Sequence, residues 1–305
     1  AAFIIMGYYP VVGGWSVAYV FKIILGEFST DAVIMGEIFD SLTKGVASPI
    51  FWTAVYMIVN IVIVAKGIST GIENASKVML PMLFGLLIIL VIRSLTLPNA
   101  MEGLKYLFVP DFSKISGEVM MAALGQAFFS LSLGMGCMIT YASYLGKDEN
   151  LVENATVVPI LDTLVALLAG VVIITATVSF GFDLDSGPGL VFVTVPAIFA
   201  TMGPVIGRIF GVIFFSMVVL AALTSSISLL EVVVSYLIDN RNWGRKRAVV
   251  ITSIILFAIC IASSLSMGIW SKYTVKGMNI FSLLDWIANN ILLPLGGIFI
   301  TLFVG

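Results

Sequence analysis

Ser130-Leu-Ser-Leu-Gly-Met-Gly136 sets two serines and two glycines in the middle of a long apolar run. Glycine weakens a helix, and two close together favour local unwinding. Unwound backbone at membrane depth persists only where protein buries it or where it lines a polar cavity. Its freed carbonyls and exposed helix ends can then hold cations and anionic groups. The same small residues would also serve a close helix crossing, and the residues alone leave both readings open. A second cluster is Ala221, Thr224 and Ser225, at i, i+3 and i+4 on one helix face, with Ser226 and Ser228 beside it. Two hydroxyls and a backbone carbonyl form a hard oxygen surface suited to a small cation such as Na⁺. Back-bonding to the helix's own carbonyls, or bonding between helices, is the competing use. Asp162 is the third feature, a lone carboxylate in an otherwise uncharged span. Such a group marks a functional site, or a salt bridge to a helix missing from this chain. Glu231 and Asp285 also lie in or near apolar spans. This is coordination chemistry; bond-breaking would need a nucleophile–base or paired-carboxylate constellation, and the chain has no histidine.

The elements that carry these residues follow from composition. The 305 residues are 60% hydrophobic and only 10% charged, with a formal charge of −2. No soluble fold hides that much apolar surface, and a nucleic-acid binder would need a concentrated basic face. Cys137 and Cys260 lie far apart in apolar runs, so neither a disulfide framework nor a CxxC metal site is indicated. A bilayer core of about 30 Å needs about 20 apolar residues per helix. Eight runs qualify: 1–25, 47–65, 78–97, 119–145, 155–181, 209–238, 248–270 and 281–304. The run 186–207 is also uncharged, but Pro188, Pro196 and Pro204 divide it, and it is read as an apolar extramembrane or re-entrant loop. Eight spans put the short connections 66–77, 146–153 and 239–247 on one side, with Lys66, Lys77, Lys147, Arg241, Arg245, Lys246 and Arg247. The opposite side receives Glu27, Asp31, Glu37, Asp40, Asp183 and Asp185. The basic side is therefore cytoplasmic. The first and last residues fall inside apolar runs with no charged flank, which reads as a fragment of a longer membrane protein.

Four strings, in order, resemble the neurotransmitter:sodium symporter family, specifically its bacterial amino-acid transporters. They are Gly7-Tyr-Tyr-Pro-Val-Val-Gly-Gly-Trp15, then 125–136 with Tyr141-Ala-Ser-Tyr144, then Val195-Pro-Ala-Ile-Phe199, and Ala221-Ala-Leu-Thr-Ser-Ser226. The resemblance implies an all-α, LeuT-like inverted-repeat transporter fold in one transmembrane domain. The chain would carry family helices three to ten, without the first two and the last: residues 1–118 would complete the first repeat and 119–305 would form the second.

The resemblance also implies roles. Tyr9 would meet the substrate carboxylate, with Ile5 one turn earlier. Phe129 would close over the ligand, and Ser132, Met135, Ser225 and Leu229 would line its side-chain pocket. Ser130 and Asp162 would serve a first Na⁺ site, and Ala221, Thr224 and Ser225 a second. Both sites would need backbone groups from the absent first helix, so the missing amino-terminal helices would be partners and the chain alone inactive. Asp285 resembles the outer-gate acid, and Tyr144 and Asp239 the inner gate. Where many family members have Asn, this chain has Asp162, and Ala166 replaces the serine of chloride-dependent members; this implies chloride-independent transport. Gly71 and Pro81 bracket nine residues, a spacing the resemblance links to unwinding, although an ordinary helix start fits too. The implied function is Na⁺-coupled symport of an amino acid with an apolar or aromatic side chain, in a bacterial inner membrane. A proton-coupled transporter of the same fold is the alternative.

Overall fold

Inside a bilayer every backbone N–H and C=O must be satisfied within the protein, and helices do so within one segment. In the computed structural model, which describes residues 1–146, 149–179 and 188–304, the long apolar runs are helical and no named strand occurs among the described residues. The helices are α1 (Ala2–Ile5), α2 (Tyr9–Leu25), α3 (Ala32–Thr43), α4 (Ala47–Ala65), α5 (Asn74–Leu95), α6 (Ala100–Phe108) and α7 (Gly117–Ser130). They continue with α8 (Cys137–Ala142), α9 (Leu151–Ser179), α10 (Val195–Thr201), α11 (Ile206–Arg241), α12 (Arg245–Leu265), α13 (Ile280–Ile287) and α14 (Leu293–Val304).

Seven helical stretches among the described residues are long and apolar enough to cross a membrane. The expected span 119–145 is instead divided between α7 and α8. Three further departures from the sequence reading share a cause in proline. The first span is interrupted at Met6–Tyr8, one turn before Pro10, whose missing N–H cannot extend the ladder backwards. In the run 186–207, a π-helical turn at Leu190–Thr194 continues into α10, and the segment is largely buried rather than a loop. Another π turn, Ala288–Leu292, joins α13 to α14. Both π turns end two residues before a proline, Pro196 or Pro294. Widening the ladder there accommodates the lost donor and the ring without breaking the helix. At twelve residues, Leu190–Thr201 is too short to span. The third span starts earlier than expected, through a π turn at Ile68–Glu73, so the Gly71–Pro81 stretch is wound rather than open. Lys147, Asp183, Asp185, Ser186, Gly187 and the end of the fifth expected span at Gly181 lie outside the described residues.

α11 is the axis of the bundle, with α2, α4, α5 and α12 packed around it. At one end of the bundle, Trp15 and Tyr19 of α2 meet Phe39 of α3, Phe192 of the π turn, Phe215 of α11 and Phe281 of α13, at ring separations of 4.9 to 6.5 Å. This hub ties the short helix α3 and the π turn to the long helices α2 and α11. Side chains such as Ile92, Ile160, Ile254 and Phe299 point outward, as lipid-facing helices require.

α2 lies against the backbone of α4 at Gly14. A Cβ there would lie 2.6 Å from the Thr53 nitrogen, and backbone cannot yield as a flexible side chain can. Gly85, inside α5, has open space around it. Gly14→Ala is therefore expected to destabilise by about 1–3 kcal/mol, whereas Gly85→Ala leaves stability unchanged or raises it by up to about 1 kcal/mol through helix propensity. Thermal unfolding of the two purified variants in detergent checks this. Equal unfolding temperatures would contradict the packing described.

Candidate functional site

The helical ladder that starts at Gly117 stops at Ser130 and resumes at Cys137. The stop is a Schellman cap: the Ser132 N–H donates to the Phe129 carbonyl at 3.1 Å and the Leu133 N–H to the Phe128 carbonyl at 2.8 Å. Glycine usually holds the left-handed position of that cap, but here Ser132 does, with φ of 55°. A side chain there costs energy that its surroundings must offset, and such strain concentrates at binding sites. Gly134 (φ 73°) and Gly136 (φ 90°) complete the turn. Gly134 also rests on α14, where a Cβ would collide with the Leu293 carbonyl. The same stretch thus meets both sequence readings: it unwinds, and its small residues allow close packing.

The interruption opens into a cavity of about 560 Å³. Every residue assigned above to substrate or Na⁺ lines it: Ile5 and Tyr9 from α1 and α2; Phe129, Ser130, Ser132 and Met135 from the break; Asp162 from α9; and Ala221, Thr224, Ser225 and Leu229 from α11. The Ser130 hydroxyl donates to Asp162 Oδ2 at 2.6 Å, across 32 residues of sequence. On the facing wall, Thr224 Oγ1 donates to the Ala221 carbonyl at 2.8 Å and Ser225 Oγ reaches the same oxygen at 3.3 Å. Both hydroxyls thus back-bond to their own helix, the competing use named from the sequence, and leave three oxygens side by side on this wall. Hard cations take oxygen ligands of this kind. Clusters of three or more His, Cys, Asp or Glu suited to a metal ion are absent among the described residues.

A second cavity, of about 540 Å³, lies outside the first and shares Gln126 and Phe129 with it. Glu118, Asp285, Asn289, Asn290 and Pro294 line it, and Asn289 Nδ2 donates to Asp285 Oδ1 at 2.9 Å. Phe129 therefore stands between the two compartments. Gln126 was given no role from the sequence; a polar amide one turn before Ser130 was the available signal. Leu80, Leu83 and Phe84 of α5, and Val158, Leu161 and Val165 of α9, are further lining residues that look like ordinary lipid-facing side chains in the sequence.

At the opposite end, Glu231 is fully buried and Arg245 grips it with two guanidinium nitrogens, one at 3.1 Å. The Tyr144 hydroxyl donates to Glu231 Oε1 at 2.7 Å, and Arg245 Nε to the Val64 carbonyl at 2.8 Å. The ends of α4 and α8 and the start of α12 thus meet at one face, where the charge pattern put the three short connections. Tyr144 engages Glu231 rather than Asp239, which is exposed near the end of α11.

A family model described as the sodium:neurotransmitter symporter family matches residues 40–304. The chain belongs to that family. It is 40% identical to an uncharacterized sodium-dependent transporter of Haemophilus influenzae and 37% identical to the uncharacterized sodium-dependent transporter YhdH of Bacillus subtilis. Both alignments cover 100% of this chain and 67% of the relative. These relatives are transporters, not enzymes. The fold superposes on a crystal structure of MhsT in complex with L-phenylalanine, with a TM-score of 0.91, 44% identity, and coverage of 99% of this chain and 69% of that one. The architecture is therefore that of the LeuT-like transporters, as the four strings implied, and the protein is a multi-pass membrane protein.

Removing one partner from a buried ion pair strands the other charge. Arg245→Gln is expected to cost about 3–5 kcal/mol, while the double variant Glu231→Gln/Arg245→Gln recovers most of that loss. Unfolding temperatures in detergent read both. A wild-type temperature for Arg245→Gln would show that the pair carries no stability.

Proposed function

We propose that this protein is a Na⁺-driven symporter of α-amino acids with apolar or aromatic side chains, working by alternating access in a bacterial inner membrane. The observation that carries the reading is the single cavity in which Asp162 and Ser130 face Ala221, Thr224 and Ser225 across Tyr9 and the strained Ser132. The L-phenylalanine held by a neighbour of 44% identity supports the substrate class.

Two cations are assigned, one at Ser130 and Asp162 and one at the three α11 oxygens. The Tyr9 hydroxyl meets the substrate carboxylate, and Ile5, Met135 and Leu229 surround its side chain. Met135 is buried, flexible and polarizable, so the pocket adapts to several apolar shapes. Phe129 closes the cavity against the outer vestibule, with Asp285 as the acid of the outer gate and Tyr144 and Asp239 at the inner one. The first repeat ends near residue 118 and the second follows. Binding energy drives the cycle only through its difference between outward-facing and inward-facing states. Cation and substrate oxygens shared across the break supply that difference, because closure brings α7, α9 and α11 together around them.

Asp162 brings a fixed negative charge to the first cation, and opposite charges a few ångströms apart attract strongly away from water. Ala166 offers no hydroxyl beside it. Transport is accordingly chloride-independent. Proteoliposomes of the intact protein are expected to take up radiolabelled L-phenylalanine only with an inward Na⁺ gradient, unchanged when gluconate replaces chloride. Uptake that follows a proton gradient at constant Na⁺ would favour the proton-coupled alternative, and collapse in gluconate would refute the charge assignment.

A further inference from the structure

Three consecutive hydroxyl residues, Thr224, Ser225 and Ser226, lie on α11, and successive residues point about 100° apart around a helix. Thr224 and Ser225 line the cavity; Ser226 does not. It is fully buried and turned towards α4. There its hydroxyl donates to Asn60 Oδ1 at 2.6 Å and lies 2.8 Å from the Tyr56 hydroxyl. Ser226 has one proton, so with Asn60 Oδ1 as its acceptor the Tyr56 hydroxyl is the donor to Ser226 Oγ. Asn60 Nδ2 in turn donates to the Tyr56 carbonyl at 2.9 Å. Tyr56 and Asn60 stand at i and i+4 on α4, so one helix face presents both groups.

All three side chains are almost wholly out of solvent, with exposures of 1% or less. A polar triad so placed inside an apolar bundle costs free energy unless each member is satisfied, and here each one is. Satisfying it also fixes geometry. The Ser226 hydroxyl also lies 3.2 Å from the Leu223 carbonyl on its own helix, the back-bond that serines in apolar helices commonly make and the one it would be left with if the other two partners were lost. Held by Asn60 and Tyr56, it pins the rotation of α11 about its axis. A hydroxyl lies about 5 Å from the axis of its helix, so a roll of about 10° displaces it by about 1 Å. That exceeds the roughly 0.5 Å within which a coordinating constellation must be held. The Tyr56 ring also lies over Gly13 of α2, where a Cβ would overlap it, one turn after Tyr9. One residue of α4 therefore abuts both the helix that carries Tyr9 and the helix that carries the oxygen face.

We propose that Asn60 and Tyr56, acting through Ser226, are positioning residues for the α11 cation site, which they do not touch. The proposal rests on the assignment of Ala221, Thr224 and Ser225 to Na⁺. Its consequence is specific: loosening the triad weakens Na⁺ before it weakens the amino acid, because the α11 oxygens lose alignment while Tyr9, Met135 and Phe129 keep theirs.

Equilibrium binding of radiolabelled L-phenylalanine to the purified intact protein, across a Na⁺ series with K⁺ holding ionic strength constant, reads this directly. Wild-type binding that needs no Na⁺ removes the symport reading itself, whatever the variants do. With Na⁺-dependent wild-type binding, Asn60→Ala is expected to raise half-saturating Na⁺ by about fivefold, a change typical of one lost hydrogen bond. Affinity for L-phenylalanine at saturating Na⁺ stays within about twofold. Tyr56→Phe keeps the ring over Gly13 and removes only the donor, and raises half-saturating Na⁺ by about two- to threefold. Asn60→Ala with Ser226→Ala shifts it no further than the larger single change, since both remove the same bond. Wild-type Na⁺ dependence in Tyr56→Phe, which is isosteric enough to fold, overturns the proposal on its own. So does a loss of amino-acid affinity at saturating Na⁺ with an unchanged Na⁺ midpoint, which marks a general structural defect.

Discussion

An interrupted helix inside an apolar medium leaves backbone groups that nothing in the surroundings can satisfy. Much of this fold can be read as the answer to that one constraint. The Schellman cap at Ser132 and Leu133 closes the end of α7 on itself, at the cost of a serine in the left-handed region. α14 comes close enough to support Gly134, and the Ser130 hydroxyl finds Asp162 on α9. What remains unsealed is the cavity, and its walls are oxygen at one level and apolar side chains at another. The break is therefore the origin of the site rather than a defect near it.

A gap of this kind is useful only if the surrounding helices hold fixed positions. α11 supplies the reference, since it contributes to the cavity, to the aromatic hub at one end through Phe215, and to the ion pair at the other through Glu231. Two of its polar ties to neighbouring helices differ in strength. The Glu231–Arg245 pair is charged and anchors the inner end to α12, α8 and α4. The Ser226 tie to α4 is neutral and sits next to Thr224 and Ser225 on the cavity wall. Phe129 and Gln126 lie on the boundary between the inner cavity and the outer vestibule, so movement of α7 relative to α13 and α14 would alter both compartments at once.

The spans were legible because apolar length is a strong signal. The break was legible as paired serines and glycines, though only coordinates separate unwinding from close packing, and both occur. Asp162 and Thr224 stood out because polar groups in apolar runs are rare. The π turns were not legible: proline announces a disturbance, but whether a helix stops or widens depends on the packing around Pro196 and Pro294. The burial of α10 escaped the sequence reading for the same reason. Glu231 was visible as an intramembrane acid, yet its partner Arg245 had already been counted among the cytoplasmic charges. Tyr56, Asn60 and Ser226 gave no signal, since each is ordinary in its own helix and only the crossing of α4 with α11 joins them across more than 160 residues.

The central claim is that cations bind between the broken helix, Asp162 and the Thr224 face. A high-resolution structure of the intact protein determined in Na⁺ with L-phenylalanine, beside one determined in K⁺ without it, tests that most directly. The account predicts two compact densities present only in Na⁺, one against Ser130 and Asp162 and one against Ala221, Thr224 and Ser225. It also predicts that the ladder stays open from Leu131 to Gly136 in the liganded form. A continuous helix through that segment, or those oxygens turned away from any bound ion, would contradict it.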